Sequence, residues 1–253
     1  MCAWSPVPAV DGVLAALRDG ARAILGDRMI GLYLYGSLAT GGFTPDTSDV
    51  DFVVVLRAPL TPQEGGALEA LLRRLQIEGG KWALKLEGAF VPLADLRRHS
   101  AEAGPFLGIN EGQIYWAGLG ADWVIQRHTL LTYPVAVDGP PLTGLIDPIA
   151  PGDLQQAVRG IFVDWWRPML TENDLLERDD YRQYAVLTMC RVFRLFETGE
   201  MTSKPAAADW ALQALDPKWR ALIRWAQTWT PGAPAADIDD VKAMIRAASA
   251  TVK

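Results

Sequence analysis

The stretch Leu34-Tyr-Gly-Ser-Leu-Ala-Thr-Gly-Gly-Phe-Thr-Pro-Asp-Thr-Ser-Asp-Val-Asp-Phe-Val-Val-Val-Leu56 decides the fold. It joins the end of an apolar and aromatic run, Ile30–Tyr35, to a β-branched run, Val50–Leu56. Such runs predict strands, whereas Gly36–Asp46 is rich in Gly, Ser, Thr and Pro and predicts a loop. Because Val50–Leu56 is apolar almost throughout, we expect this strand to be buried on both faces of a sheet.

The flanking segments extend the pattern in both directions. Residues 12–25 and 61–75 carry apolar side chains at helical spacing, which predicts two amphipathic helices. Trp82–Val91 alternates like a strand, and Trp123–Ile125 and Val135–Val137 predict two short strands. The first half of the chain is therefore predicted to mix helices and strands.

The composition changes after about residue 138. Asp138-Gly-Pro-Pro, Asp147-Pro and Pro151-Gly are typical of a linker. Helical patterns follow at 153–167, 180–198, 204–215, 217–229 and 238–252. We predict an α+β fold, in which residues 1–150 form a mixed sheet flanked by helices and residues 151–253 form an all-α helical domain.

Composition and charge argue against several classes of protein. The net charge of the 253 residues is −6, whereas a nucleic-acid-binding surface is usually basic; a cationic small substrate suits an acidic protein better. Cys2 and Cys190 form no disulfide framework, and His99 and His128 are too few for most zinc sites. Neither a signal peptide nor a membrane span is evident. We therefore expect a cytoplasmic monomer without nucleic-acid or membrane partners.

Three acids form the most informative pattern. Asp49 and Asp51 stand two residues apart at the mouth of an apolar strand, so their carboxylates face the same way. Like charges held close repel unless a cation compensates, and Mg²⁺ prefers hard oxygen ligands. Glu87 lies inside the third predicted strand, where an acid needs a partner or an exposed edge. If the strands adjoin, the three carboxylates could converge on a metal.

Gly36 and Ser37 follow the first strand directly. Backbone N–H groups there, together with the Ser37 hydroxyl, can cradle a polyphosphate, and glycine permits close approach. Combined with the acids, this predicts metal-assisted phosphoryl or nucleotidyl transfer. Each part has a plainer interpretation, because an isolated Asp-x-Asp is usually a solvated strand end and Glu87 could simply be edge-exposed. The ordered set is more specific than its parts.

Two segments resemble the aminoglycoside nucleotidyltransferases, which belong to the polymerase-β-like nucleotidyltransferase superfamily. The first is the stretch quoted above. The second comprises Tyr184-Ala-Val-Leu-Thr-Met-Cys-Arg-Val-Phe, Glu197-Thr-Gly-Glu and Ser203-Lys-Pro-Ala-Ala-Ala-Asp-Trp-Ala, and it resembles the helical domain of streptomycin/spectinomycin adenylyltransferases. The resemblance implies a nucleotidyltransferase domain followed by a helical domain that contacts substrate and nucleotide, with the site in the cleft between them.

The resemblance also implies roles for individual residues. Asp49, Asp51 and Glu87 would hold Mg²⁺, as two ions, and Glu87 would be the general base. ATP as co-substrate would be contacted by Gly36, Ser37, Ser48, Asp122, Arg191 and Lys204. From the residues alone, Arg191 could equally form a salt bridge or lie along the surface, and Lys204 could be a solvated residue near a helix cap. The family's tyrosine near the C-terminus has no counterpart, because no Tyr follows Tyr184.

A polycationic, hydroxyl-rich acceptor calls for carboxylates and an aromatic face. The segment before the Arg191 helix supplies both, and we assign acceptor binding there to Trp165, Trp166, Glu172, Asp174, Asp179 and Asp180. The alternatives are that the tryptophans belong to the core and that the acids form a solvated loop.

The expected reaction is Mg²⁺-dependent transfer of AMP from ATP to a hydroxyl of streptomycin or spectinomycin, with release of pyrophosphate, as in aminoglycoside (3'')(9)-type adenylyltransferases. Three alternatives stay open. The same fold could serve a protein or nucleic-acid end as acceptor, it could be a non-catalytic module of the toxin–antitoxin type, or the Asp-x-Asp could be incidental to an unrelated α/β domain.

Overall fold

The computed structural model describes residues 3–98, 100, 102–172 and 174–252, so Cys2 and His99 lie outside the described part. The chain divides into two compact units, one ending at Pro148 and one beginning at Ile149. The assignment of separate functional domains to residues 1–150 and 151–253 stays a prediction.

The first unit is built on a mixed sheet. Within the described residues the sheet has six strands in the order β5-β4-β3-β2-β1-β6. Strands β2 and β3 run parallel, and every other neighbouring pair is antiparallel. The strands are β1 (Met29–Leu34), β2 (Val50–Leu56), β3 (Leu86–Pro92), β4 (Phe106–Asn110), β5 (Gln113–Ala117) and β6 (Val135–Asp138). The predicted mixed sheet with flanking helices is confirmed.

Helices cover both faces of this sheet. They are α1 (Pro8–Leu25), α2 (Gly36–Thr40), α3 (Pro62–Glu78), α4 (Gly80–Leu84), α5 (Leu93–Arg97) and α6 (Asp122–Thr132). Phe52 and Val54 of β2 pack on the face that carries α1 and α3, whereas Val53 and Val55 face the α5 and α6 side. This alternation is the two-residue period of a strand, and it assigns odd-numbered residues of β2 to the α6 face.

The second unit is helical among its described residues. Its helices are α7 (Pro151–Ile161), α8 (Asp179–Thr198), α9 (Lys204–Ala214), α10 (Arg220–Thr228) and α11 (Ile238–Thr251). A five-residue π-helical segment, Phe162–Trp166, continues α7. Such π-helical turns are rare and often occur at functional sites. Among the described residues, no helix combines the length and apolar character that a membrane crossing needs.

Several local expectations were wrong. Trp82–Leu84 belongs to α4 rather than to β3, because the backbone turns at Lys85 before extending. Trp123–Ile125 lies in α6, where Trp123 is buried by packing against Tyr35. Strands β4 and β5 were missed because Gly and polar residues interrupt their apolar pattern. Gly36–Thr40 forms a short helix, which begins at a glycine with φ of 60° and ends at Gly41 in the left-handed conformation.

Close approach of β2 and β3 depends on Gly88. A Cβ atom at this position would overlap the Phe52 carbonyl oxygen and lie 2.9 Å from Phe52 Cδ1. We expect Gly88→Ala to lower the free energy of unfolding by about 1–3 kcal/mol, the usual cost of overpacking.

The matched control is Gly66→Ala in α3, where a Cβ would meet open space. It should stabilise the protein by about 0.5–1 kcal/mol, because alanine favours helix. Urea denaturation measures both variants, and equal effects would contradict the proposed strand contact.

Candidate active site

The parallel pairing of β2 and β3 brings two of the predicted acids together. Asp51 lies directly opposite Glu87 in the register, and the pairing begins one residue earlier with Val50 and Leu86. Neighbouring strands lie about 4.8 Å apart, and side chains at one level of the ladder share a face. Asp51 and Glu87 therefore project on the α6 face of the sheet, and Asp49 comes just before β2 with the same parity.

The turn after β1 places Gly36 against this pair. The Tyr35 N–H donates to the Asp51 carbonyl oxygen at 3.3 Å. Gly36 has φ of 60°, and a Cβ on it would overlap the Asp51 carboxylate. A side chain is thus excluded at Gly36 twice, by backbone conformation and by contact with Asp51.

Ser37 is the second residue of the short helix α2, directly after the glycine that contacts Asp51. Its Oγ is buried, and no hydrogen-bond partner for it exists among the residues that the structure describes. A buried hydroxyl without a partner costs about 1–3 kcal/mol, so native proteins rarely leave one unexplained. An oxyanion bound at this turn would accept its hydrogen, in agreement with the predicted phosphate contact.

Ser48 belongs to the hydrogen-bond network of the loop before Asp49. Its Oγ accepts from the Thr44 N–H at 2.9 Å, and its own N–H donates to the Thr44 carbonyl oxygen at 2.9 Å. These bonds shape the loop that leads into β2. The predicted contact between Ser48 and the nucleotide stays a prediction.

Burial and the negative charge at this end of the sheet raise the pKa values of two tyrosines. Burial is the main reason why the pKa of Tyr35 lies well above its usual range, and the charges of Asp51, Glu87 and Asp122 raise it further. Burial also raises the pKa of Tyr115, with further contributions from Glu87 and Asp122. Asp122 is the first residue of α6, where a helix dipole favours an anion. Glu87 of β3 and Asp122 of α6 thus act on both phenols, whereas Asp51 of β2 acts on that of Tyr35.

A metal fits the chemistry of these residues. The donors are carboxylates, and the carboxylate of Asp51 occupies the space that a side chain at Gly36 would take. In the described part of the chain, no group of three or more His, Cys, Asp or Glu side chains has the arrangement of a metal centre. Mg²⁺ commonly takes one or two carboxylates and completes its shell with water and substrate phosphates. The three-carboxylate ligand set of Asp49, Asp51 and Glu87 stays a prediction.

In the helical unit, the two predicted phosphate-binding cations lie where α8 meets α9. The Arg191 Nε donates to the Thr202 carbonyl oxygen at 2.9 Å. Lys204 is the first residue of α9, and its Nζ lies 4.3 Å from the centre of the Tyr184 ring. The Ser203 hydroxyl accepts from the Ala206 N–H and caps α9. These contacts hold both cations at one corner, and their role towards a nucleotide stays a prediction.

The π-helical segment places its two tryptophans differently. Trp166 is 2% exposed and stacks on Tyr184 with ring centres 5.8 Å apart, so it belongs to the core of this unit. Trp165 is 46% exposed and donates from Nε1 to the Tyr181 hydroxyl at 2.7 Å. An aromatic cluster of Trp165, Trp166, Tyr181 and Tyr184 results, and part of it faces solvent.

The predicted acceptor-binding acids fall into two pairs. Glu172 and Asp174 are exposed on either side of Asn173, which lies outside the described residues. Asp180 accepts two hydrogen bonds from Arg178, which hold the pKa of that carboxyl below its usual range. Asp179 lies 3.8 Å from Arg182. The charges of Asp179 and Asp180 are therefore partly compensated within the chain.

The sequence analysis did not identify the tyrosines that lie near the acids of the sheet or those of the aromatic cluster in the helical unit. Tyr35 and Tyr115 adjoin the acids of the sheet, and Tyr181 and Tyr184 form the aromatic cluster. One signal was present for Tyr184, because it lies about two helical turns before Arg191 and therefore on the same face of α8. Tyr115 lies in β5, which was not predicted, so nothing in the sequence connected it with Glu87.

Two family models match the chain. Residues 17–103 match the nucleotidyltransferase domain, and residues 145–253 match the C-terminal domain of aminoglycoside adenylyltransferase. The unit that contains the acid-bearing strand pair is therefore a nucleotidyltransferase domain. The two models match the chain in the order of an aminoglycoside adenylyltransferase, and curated relatives are aminoglycoside and spectinomycin adenylyltransferases, which confirms the family predicted from the sequence.

Curated relatives and a solved structure support this placement. The aminoglycoside (3'') (9) adenylyltransferase of Klebsiella pneumoniae is 28% identical over 205 residues, which are 77% of this chain and 75% of that protein. The spectinomycin 9-adenylyltransferase of Staphylococcus aureus is 26% identical over 215 residues, 79% and 77% of the two chains. The crystal structure of spectinomycin adenyltransferase AAD(9) from Enterococcus faecialis with ATP and spectinomycin has a TM-score of 0.75 at 20% identity, covering 95% of this chain and 98% of that one. The last comparison shows the shared fold.

The electrostatic effect of Glu87 on the pKa of Tyr115 can be tested by titration. A negative charge disfavours tyrosinate, so replacing Glu87 by Gln should lower the pKa of Tyr115. The pKa of Tyr33, which burial and Asp138 raise to about 12, should not change and serves as an internal control. Carbon-13 labelling of the tyrosine rings allows both to be followed by NMR. An unchanged Tyr115 titration would place Glu87 away from this phenol.

Proposed function

We propose that the chain transfers AMP from ATP to a hydroxyl group of an aminocyclitol or aminoglycoside antibiotic, streptomycin or spectinomycin, and releases pyrophosphate. The observation that carries this proposal is the pairing of Asp51 with Glu87 beside the buried, unsatisfied Ser37 hydroxyl. Support comes from relatives named as adenylyltransferases for such drugs and from a neighbour of the same fold solved with ATP and spectinomycin.

The nucleotide is bound by the turn after β1. The backbone at Gly36 approaches the triphosphate closely because no side chain intervenes, and the Ser37 hydroxyl donates its hydrogen to a phosphate oxygen. The Ser48 hydroxyl adds a contact from the neighbouring loop, and Asp122 contacts the nucleotide from the start of α6. Arg191 and Lys204 supply positive charge for the phosphates, for which the planar arginine suits bidentate contact.

Asp49, Asp51 and Glu87 hold Mg²⁺, as two ions, in this proposal. When bound, the metal neutralises the phosphate oxygens and favours displacement at phosphorus. The three carboxylates also repel each other in the free protein, so magnesium and nucleotide should bind together. Calorimetry should therefore show ATP binding that requires Mg²⁺, and binding of equal strength without the metal would count against this arrangement.

Glu87 acts as the general base. Its carboxylate accepts the proton of the drug hydroxyl as the oxygen attacks the α-phosphorus of ATP. A new phosphorus–oxygen bond forms, the bond to the bridging oxygen of pyrophosphate breaks, and the electron pair leaves with pyrophosphate. The pairing of Glu87 with Asp51 in the register supports this role, because the base and the metal ligands must lie close to the same reacting phosphorus.

The acceptor is bound by aromatic and acidic side chains of the helical unit. Trp165 offers an exposed aromatic face for a cationic drug, while Trp166 supports the same face from the core through Tyr184. Glu172 and Asp174 supply exposed carboxylates, and Asp179 and Asp180 contribute charge that Arg182 and Arg178 partly compensate. We propose that Trp165 and the four acids contact the acceptor and that Trp166 supports them from the core.

Substitution of the acids tests the catalytic proposal. Glu87→Gln should lower kcat by about 10²- to 10⁴-fold, the usual contribution of a general base, and Asp49→Asn and Asp51→Asn should abolish Mg²⁺-dependent turnover. Asp46→Asn is the control, since Asp46 is an exposed acid of the preceding loop. The assay follows pyrophosphate release with ATP and each drug. Unchanged activity in Glu87→Gln would reject its role as base.

A second test separates backbone strain from contact with Asp51. Gly36 and Gly41 both have positive φ, but a Cβ at Gly41 would meet open space. Gly36→Ala and Gly41→Ala should each cost about 1 kcal/mol of stability for the conformation. Gly36→Ala should also displace the Asp51 carboxylate and lower kcat by about 100-fold, whereas Gly41→Ala should retain most of its turnover. Steady-state kinetics with thermal melts decides this, and equal kinetic losses would contradict the contact.

A further inference from the structure

Lys85 bonds to the chain on both sides of Asp49. Its Nζ donates to the Ser48 carbonyl oxygen at 2.9 Å in a partly buried contact. Its own carbonyl oxygen accepts from the Val50 N–H at 2.8 Å. Ser48 and Val50 are the two neighbours of Asp49, so a single residue fixes the backbone before and after this acid.

The sheet register places Lys85 next to the acids. The parallel pairing of β2 with β3 begins with Val50 opposite Leu86, and Lys85 immediately precedes Leu86. Lys85 and Glu87 are two residues apart, as are Asp49 and Asp51. The lysine thus lies at the same end of the two strands as the carboxylates, at the point where the loop from Gly41 joins β2.

Packing on the nearby tryptophan does not account for the position of this ammonium group. Lys81 and Lys85 both approach the Trp82 ring, with Nζ at 4.8 Å and 5.7 Å from its centre. Lys81 is nearer to the ring and is exposed. Lys85 lies farther from the ring and directs a hydrogen bond to Ser48, and a hydrogen bond from a charged donor is stronger than a neutral one.

We infer that Lys85 is a positioning residue for nucleotidyl transfer: its ammonium group fixes the Ser48 carbonyl and thereby orients Asp49 towards the metal–nucleotide complex. This inference rests on the proposed function, in which Asp49 is a metal ligand. Lys85 touches neither nucleotide nor acceptor in this role. It acts through the loop that also contains Ser48, whose hydroxyl is proposed to contact the nucleotide.

The test compares Lys85→Met, Lys85→Arg and the matched control Lys81→Met in the full chain. Methionine keeps an unbranched side chain but removes the ammonium donor. We expect Lys85→Met to lower kcat by about 10- to 100-fold, in line with small misplacements of catalytic groups, and to raise the Mg²⁺ concentration needed for half-maximal rate. Lys85→Arg should recover kcat to within about threefold of wild type, and Lys81→Met should behave as wild type.

Hydrogen exchange gives a readout that does not depend on activity. In Lys85→Met without nucleotide, the amides of residues 47–50 should exchange at least about tenfold faster, while those of α3 should be unchanged. If Lys85→Met folds poorly in thermal melts, Lys85→Gln replaces it, with the same loss expected. Unchanged loop exchange, unchanged kcat, or an equal loss in Lys81→Met would overturn the inference. If the wild type transfers AMP to none of the drugs while Lys85→Met still exchanges faster in this loop, the proposed function is rejected. The two failures are therefore distinguishable.

Discussion

The parallel pairing of β2 and β3 is the constraint on which the rest of the candidate site depends. It sets Asp51 opposite Glu87, and this register determines the face of the sheet on which both side chains project. A slip of either strand by one residue would turn the acid of that strand into the apolar layer beneath α1 and α3. The pairing is stabilised by the apolar residues that alternate with the acids. It also depends on Gly88, whose lack of a side chain allows the Phe52 backbone to approach. Core packing and the geometry of the candidate site are therefore specified by the same ladder of residues.

Much of this arrangement could be predicted from the sequence. The apolar β-branched run Val50–Leu56 indicated a buried strand, and the glycine turn and Asp-x-Asp flanking the loop indicated the chemistry of the site. The helical second half followed from its 3.6-residue periodicity, and the linker from its prolines. These features are local, so a single segment contains all the information that each requires.

What could not be predicted depends on contacts between distant segments. Trp82 and Trp123 have strand-like residue types, yet both lie in helices because tertiary packing outweighs local propensity. Strands β4 and β5 form a hairpin whose Gly and polar residues suit contact with β3 rather than an apolar pattern. The closeness of Tyr115 to Glu87 depends on that hairpin. The hydrogen bond from Lys85 to Ser48 joins residues 37 positions apart, and no periodicity in the sequence encodes such a bond.

The division of the sheet into two faces has an evolutionary consequence. Even-numbered residues of β2 maintain the core with α1 and α3, whereas the odd-numbered side at its start carries the acids. The aromatic cluster proposed to meet the acceptor belongs to a separate compact unit with its own core. Under the proposed function, selection can therefore alter the drugs accepted by replacing exposed residues around Trp165 while the carboxylate pair and its supporting layer stay intact. Such a chain can diversify its acceptor range without first acquiring compensating stability.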